Sequence, residues 1–232
     1  MKNLKIIILS AVVLSFSAIP LSVHAQSAVR INQHISDLNQ IKPLQNPAWQ
    51  RSADVLKSRI LDRKNKVVGD LEDIIVGQQG VVDSLKVDLN RLQLGTEVYL
   101  NYNNMNIRSA ERAYITNFDD DRIEEIYPEL LANIESASGG DNGLISIKNL
   151  NNADVEAEDG RRLGKVEEIM FDINSGNRAE ALIIRVRASG IRGTSVAVPF
   201  YMPRYDVESA TRYNVVVSNA EADAILDVAR TK

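Results

Sequence analysis

The sequence predicts a mainly β protein in which two small, six-stranded antiparallel β-barrels stand in tandem, each followed by a short α-helix, after an N-terminal signal peptide. Three observations support this prediction: an apolar leader, two related segments about 95 residues apart, and short runs of alternating apolar and polar residues between turn residues. The 232 residues are 44% hydrophobic and 25% charged, which excludes a collagen-like or wholly disordered chain.

The N-terminus has the three parts of a secretory signal. Lys2 and Lys5 precede an apolar run over residues 6–23, and Ala25 is the small residue expected before the cut. We therefore predict a signal peptide of residues 1–25, cleaved after Ala25, and a periplasmic protein. The alternative is a protein anchored in the membrane by the uncleaved segment, because a largely apolar run of 18 residues is just long enough to span a bilayer.

Composition restricts the chemistry. Cysteine is absent, which excludes disulfides, thiolate nucleophiles and cysteine-based metal sites. Of the two histidines, His24 lies in the leader, so a catalytic triad or a zinc site would rest on His34 alone. The sequence holds no P-loop, dinucleotide glycine pattern or nucleophile elbow. We expect no enzymatic activity and no cofactor.

Charge argues against nucleic acid as a partner. Removal of the leader takes away two lysines and no acid, which changes the net charge from −4 to −6. Binding to a duplex depends on neutralising phosphates, so an acidic exported protein is a poor candidate for it.

Two polar stretches divide the mature chain. Residues 26–48 carry apolar residues at near-helical spacing and end with two prolines, which predicts a short amphipathic helix or a loose linker. Residues 139–143 hold three glycines and mark a boundary between domains. The first unit is then residues 49–138, and the second unit is residues 144–232.

The two units carry a common motif, which predicts a divergent duplication. Gly69 corresponds to Gly164 and Glu72 to Glu167, both at a spacing of 95 residues. The glycines allow the bulge or sharp strand bend that a small sheet needs in order to close into a barrel. The recurrent glutamates are expected either to hydrogen-bond a neighbouring turn or to meet a partner.

Strand patterns are clearest in the second unit. Six short runs with period-two alternation lie between glycine and asparagine turns, at 154–157, 163–172, 180–187, 195–199, 205–207 and 213–217. Ser218 and Glu221 form a capping box that opens a C-terminal helix. Antiparallel turns between so many short strands favour a closed barrel, because closure removes exposed edges.

The second unit resembles the PRC-barrel family, which includes the soluble domain of the photosynthetic reaction-centre H subunit and the C-terminal domain of a bacterial ribosome maturation factor. The resemblance is carried by residues 160–172, 174–176, 181–184 and 196–200. It implies a small β-barrel used as an assembly or interaction module, and it implies no catalytic residues. The first unit departs from this pattern, since Asn65 stands in place of Gly160 and Asn101 in place of Pro199. Its expected membership rests mainly on the duplication, and the sequence leaves open whether it forms a complete barrel.

A candidate interaction surface lies in the second unit. Arg185, Arg187 and Arg192 form a local basic patch, and Tyr201 and Tyr205 flank a proline-bearing loop. The second unit carries a net charge of −1 and the first unit −5, an asymmetry that can orient one unit against the other or against an acidic partner. The alternatives are a solvated strand face and an aromatic loop that plugs its own barrel.

Two acidic motifs are candidates for metal sites. The acids at 119–121 are more simply explained by the dipole of the helix that they open. The segment 172–176 resembles the start of a calcium loop, but Ile183 stands where the twelfth-position acid is needed. We expect no metal at either place.

Together these patterns predict a non-catalytic adaptor or scaffold of the bacterial envelope that binds another envelope protein. The alternative is a periplasmic protein that binds a small ligand or a divalent metal. The sequence leaves open the partner, the oligomeric state and the packing of the two units.

Overall fold

A computed structural model of the protein describes residues 22–94, 97–132, 143–172, 177–188, 190–191, 193–209 and 212–232, with the backbone alone at 22–28 and 208–209. The described part is mainly β, with two seven-stranded sheets and five α-helices. Most of the predicted leader, at 1–21, and most of the predicted glycine-rich linker lie outside the described residues.

Each sheet belongs largely to one unit. The first sheet contains β2 (Arg59–Leu61), β3 (Val67–Val76), β4 (Val82–Asp88), β5 (Glu97–Asn101), β6 (Arg108–Ala110), β7 (Ala113–Ile115) and β8 (Ile145–Ser146). The second sheet contains β1 (Trp49–Arg51), β9 (Asp154–Ala157), β10 (Arg162–Asp172), β11 (Ala179–Val186), β12 (Thr194–Pro199), β13 (Arg204–Ser209) and β14 (Arg212–Val217). The helices are α1 (Ser22–Gln40), α2 (Ser52–Val55), α3 (Asp120–Ala132), α4 (Ile147–Leu150) and α5 (Asn219–Thr231).

The prediction of closed, six-stranded, antiparallel barrels needs correction. Each sheet has seven strands, and each contains one parallel pair, β2 with β7 and β9 with β14. Along the described strands each sheet is an open hydrogen-bonded path, which runs β5-β4-β3-β2-β7-β6 in the first and β12-β11-β10-β9-β14-β13 in the second. Turn residues report only on consecutive strands, so a parallel pairing between distant strands leaves no local signal.

The seventh strand of each sheet comes from the other unit. β1, at the start of the first unit, pairs antiparallel with β10 of the second unit. β8, at the start of the second unit, pairs antiparallel with β3 of the first unit. The β3–β4 and β10–β11 turns also meet, because Val82 N donates to Asn177 O and Ala179 N donates to Gly80 O, each at 2.8 Å. The units are therefore joined by a reciprocal exchange of short strands.

The two sheets share their irregularities as well as their strand order. β3 breaks register between Leu71 and Asp73, and β10 breaks it between Val166 and Glu168. Further breaks against β4 and β11 fall at 75–76 and 170–171. Each of these breaks in β3 thus has a counterpart 95 residues away in β10.

Helix α1 covers the outer face of the second sheet. An apolar patch of Met170, Ala181, Ile183 and Ala197 packs against Leu38, Leu44 and Trp49. The Asn39 side chain forms two hydrogen bonds with the backbone of β12. Its Nδ2 donates to Ala197 O at 2.8 Å, and Ala197 N donates to its Oδ1 at 2.9 Å. Residues 26–48 are thus helical up to Gln40 and packed, rather than a loose linker.

The predicted helices after the two sheets are present. The capping box of α5 is confirmed, since Ser218 Oγ accepts from Glu221 N and Ser218 N donates to the Glu221 carboxylate. In α3 the side chains of Ile123, Ile126 and Leu130 are buried. No helix within the described ranges is both long enough and apolar enough to cross a membrane.

A substitution at Gly164 tests the close approach of β11 to β10 at this position. A Cβ on Gly164 would lie 2.1 Å from Arg185 O, whereas a Cβ on Gly77 would meet nothing within 4 Å. We expect Gly164→Ala to lower the free energy of unfolding by about 2–3 kcal/mol in a urea titration, because backbone atoms must move. Gly77→Ala is the matched control, and equal stability of the two variants would contradict the close approach.

Candidate interaction surface

A cleft lies beside Gly164 on the outside of the second unit, with a volume of about 360 Å³. Its walls come from β9, β10 and β11, and its lining residues are Asn152, Asp154, Arg162, Gly164, Lys165, Val166, Glu167, Arg185 and Arg187. Four cations and two acids therefore face one hollow. The missing Cβ of Gly164 is what lets β11 approach β10 at this point.

Ion pairs inside the cleft neutralise only part of its charge. Lys165 Nζ lies 3.1 Å from Asp154 Oδ1, and one Arg185 guanidinium nitrogen lies 3.6 Å from Glu167 Oε1. Arg162 and Arg187 are exposed, and among the described residues neither forms an ion pair. The cleft thus presents two uncompensated guanidinium groups, which suit carboxylates.

The predicted surface residues do not all meet. Arg185 and Arg187 line the cleft, as one patch. Arg192 lies outside the described residues. Tyr201 is 44% exposed but lies in a different hollow, where its hydroxyl is 3.3 Å from His34 Nδ1 and where Trp49 also contributes.

Tyr205 does not belong to an exposed surface, and its place in the predicted patch is corrected. The residue is only 5% exposed, its ring stacks on Phe200 at 5.0 Å between centroids, and its hydroxyl donates to Phe200 O. Burial raises the pKa of the Tyr205 hydroxyl well above its usual value. The aromatic ring is therefore part of the core.

The recurrent glutamates occupy the two equivalent bulges and contact neighbouring elements. Glu72 Oε2 lies 3.3 Å from Lys148 Nζ at the start of α4. Glu167 accepts a hydrogen bond from Ser195 Oγ and pairs with Arg185. Both carboxylates thus have polar partners within the protein, in agreement with a structural role.

The acids that follow them, Asp73 and Glu168, have the larger structural role, and the sequence analysis missed it. They are 5% and 8% exposed. Asp73 accepts from Ser146 Oγ and, at 2.9 Å, from Lys148 N. Glu168 accepts from Ser52 Oγ and, at 3.3 Å, from the backbone N–H of Ala53. Each buried carboxylate thus holds the exchanged segment of the other unit.

A second, larger hollow lies on the first unit, with a volume of about 510 Å³. It is bordered by β4, β5 and α3, and combines polar groups such as Tyr99 and Asn101 with apolar groups such as Ile126 and Leu130. Ser84 is 2% exposed, and its Oγ has no hydrogen-bond partner in the described part of the protein. Buried hydroxyls normally have a hydrogen-bond partner, so this one can serve as an anchor for a small molecule.

Nearby cations contact the acids at the start of α3. Asp119 pairs with Arg63 and Lys64, and Asp120 pairs with Lys66, so nearby cations already neutralise both. Asp119 also accepts from Arg122 N at 3.2 Å, and this bond is the first cause of its lowered pKa. Among the residues that the structure describes, no three histidine or acidic side chains converge as metal ligands. Most of the 172–176 segment falls outside them.

Comparison with known families gives one match. Residues 142–221 match the PRC-barrel domain, so the match covers most of the second unit and ends in α5. A search of curated proteins finds no match to the chain. The resemblance noted for the second unit is confirmed, and it extends over the whole cleft.

The buried Asp73 generates a pH prediction. Burial raises its pKa above the usual value, although the bonds from Ser146 and Lys148 lower it in part. The group therefore contributes most stability below its unfolded pKa, and this contribution is lost as the pH rises through the folded pKa. Asp73→Asn keeps an acceptor for Lys148 N but cannot ionise. Its unfolding free energy relative to wild type should rise by about 1 kcal/mol between about pH 4 and pH 7.

Urea titrations at a series of pH values measure this difference. Asp70→Asn is the control, because Asp70 is half exposed on the same strand. A pH dependence that is the same for Asp73→Asn, Asp70→Asn and wild type would contradict the raised pKa.

Proposed function

We propose that this protein is a non-catalytic scaffold of the bacterial envelope, whose second unit binds an acidic protein surface through the cleft around Gly164. The observation that carries the proposal is the pair of exposed guanidinium groups, Arg162 and Arg187, in a concave site of the unit that matches the PRC-barrel domain. Resemblance to that family implies an assembly module. Rim charges of this kind orient and select partners.

The proposal includes two PRC-like units that arose by duplication, each built on a strongly curved sheet. The first unit lies outside the family match. What supports its inclusion is the equivalent strand order, the parallel pair in each sheet and the bulges that recur at a spacing of 95 residues. Recurrent bulges favour strong curvature, as small barrels require.

We further propose export to the periplasm with cleavage after Ala25. The leader pattern in the sequence supports this. Helix α1 begins at Ser22, so cleavage would remove only its first residues and would leave Leu38 and Asn39 in contact with the second sheet. The mature chain would keep the cover of that apolar face.

Site-specific crosslinking in the native envelope tests the function. A photoreactive residue at Arg187 should give one recurrent protein adduct, whose partner is identified by mass spectrometry. Lys165→Glu with Arg162→Glu should lower the adduct yield about tenfold, because the acidic partner is then repelled. The crosslinked protein should come from the periplasmic fraction, with an N-terminus at residue 26.

The matched control reverses two exposed cations outside the cleft, Lys57→Glu with Lys64→Glu, so that the net charge changes equally. Loss of the adduct in this control would point to total charge instead of the cleft. Absence of any adduct from Arg187, with adducts from Tyr201, would move the contact to the hollow beside His34.

Ligand binding is the second candidate function, favoured by the unpartnered Ser84 hydroxyl in the hollow of the first unit. If it holds, native mass spectrometry of the protein purified from the periplasm should show a co-purifying small molecule. Ser84→Leu should remove that added mass while the fold is kept, because the polar anchor is lost and the space is filled. A wild-type spectrum of the bare chain alone would reject this candidate.

A further inference from the structure

The two units carry opposite charges at equivalent positions on three neighbouring strands. One set, which we call the first row, crosses three neighbouring strands of the first sheet. In it, Asp70 on β3 is the register partner of both Arg59 on β2 and Asp88 on β4. The row thus reads plus, minus, minus, and its net charge is −1.

The second row crosses the equivalent strands of the second sheet. Lys165 on β10 is the register partner of both Asp154 on β9 and Arg185 on β11. The row reads minus, plus, plus, and its net charge is +1. It therefore has the opposite sign of the first row at each of the three positions, and all three of its residues line the cleft.

Both rows place like charges directly opposite each other on adjacent strands. Such pairs, here Asp70 with Asp88 and Lys165 with Arg185, destabilise a sheet. Compensation within the chain is weaker in the first row, where Asp70 pairs with Arg91 at 3.9 Å, than in the second row, where Lys165 and Arg185 each pair with an acid at 3.1 and 3.6 Å. Like charges in each row destabilise the sheet, whereas the two rows have opposite signs at every position. Both features are explained if the rows are contact surfaces.

The rows do not satisfy each other within one chain. Among the described residues, Lys165 and Arg185 pair only with acids of their own unit, and Asp70 pairs only with Arg91 of its own unit. The side chains remain accessible, with 56% of Lys165, 51% of Arg185 and 42% of Asp70 exposed. Each row is thus available to another molecule.

We infer that the acidic surface bound by the cleft is the first row of another copy of the chain, so that copies associate through their rows. This inference rests on the proposed function and names its partner. With the rows laid face to face in parallel order, Arg59 lies opposite Asp154, Asp70 opposite Lys165, and Asp88 opposite Arg185 of the other copy. Strands are about 4.8 Å apart, so the three pairs extend over roughly 10 Å.

The contact joins different surfaces of the two copies. Such head-to-tail contacts produce closed rings or open chains, according to the rotation between copies. The order of signs along each row also sets the register, because a shift by one strand would place Asp70 against Asp154.

Sedimentation velocity of the full mature chain tests the inference. Wild type should associate with concentration, and its apparent dissociation constant should rise about tenfold or more from low to high salt, because exposed pairs are screened. Lys165→Glu with Arg185→Glu makes both rows acidic, and Asp70→Lys with Asp88→Arg makes both rows basic. Each variant alone should remain a monomer, whereas an equal mixture of the two should associate.

Restored association in the mixture shows that both variants are folded and that charge pairing is the cause. Lys57→Glu with Lys64→Glu is again the control for net charge and should associate as wild type does. A wild-type protein that stays monomeric at about 1 mM in low salt would overturn the inference. In that case an Arg187 adduct with a different protein would leave the proposed function standing, and no adduct would remove both.

Discussion

The reciprocal exchange of β1 and β8 is the constraint on which the rest of the structure depends. Each exchanged strand leads into a short helix whose first residues donate to a buried carboxylate of the other unit, Asp73 or Glu168. A buried carboxylate without these donors would be costly, and the donors would themselves lose their acceptor. The two sheets therefore stabilise each other, and neither unit is complete with its own residues alone.

The bulges connect this exchange to the outer surface. An extra residue in β3 and in β10 places Glu72 and Glu167 toward solvent and the next acid toward the interior. Two adjacent acids thus serve separate purposes in each unit, one for the joint between units and one for the exterior. Gly164, two residues before one bulge begins, lies in the wall of the cleft and lets β11 approach β10 closely.

The two units share one strand order but have different outer surfaces. The second sheet has an apolar outer patch that includes Ala181 and Ala197, and α1 covers it. The first unit has the polar Ser84 in its hollow beside α3 instead. The charged rows also differ in sign while their backbone positions agree. Since the interior of each unit is filled by aliphatic residues, divergence at the surface left the fold unchanged.

The sequence by itself determined the β-rich class, the helices after each sheet, the resemblance of the second unit and the recurrence of Gly69 and Gly164. The class and the helices follow from period-two alternation and capping residues, which act over a few residues, and the resemblance and the recurrence are read directly from the order of the residues. Only the tertiary structure decided the parallel pairs, the exchanged strands, the burial of Tyr205 and the inward direction of Asp73. Each of these depends on contacts between residues distant in the chain, and a single bulge reverses the side that alternation assigns to a residue.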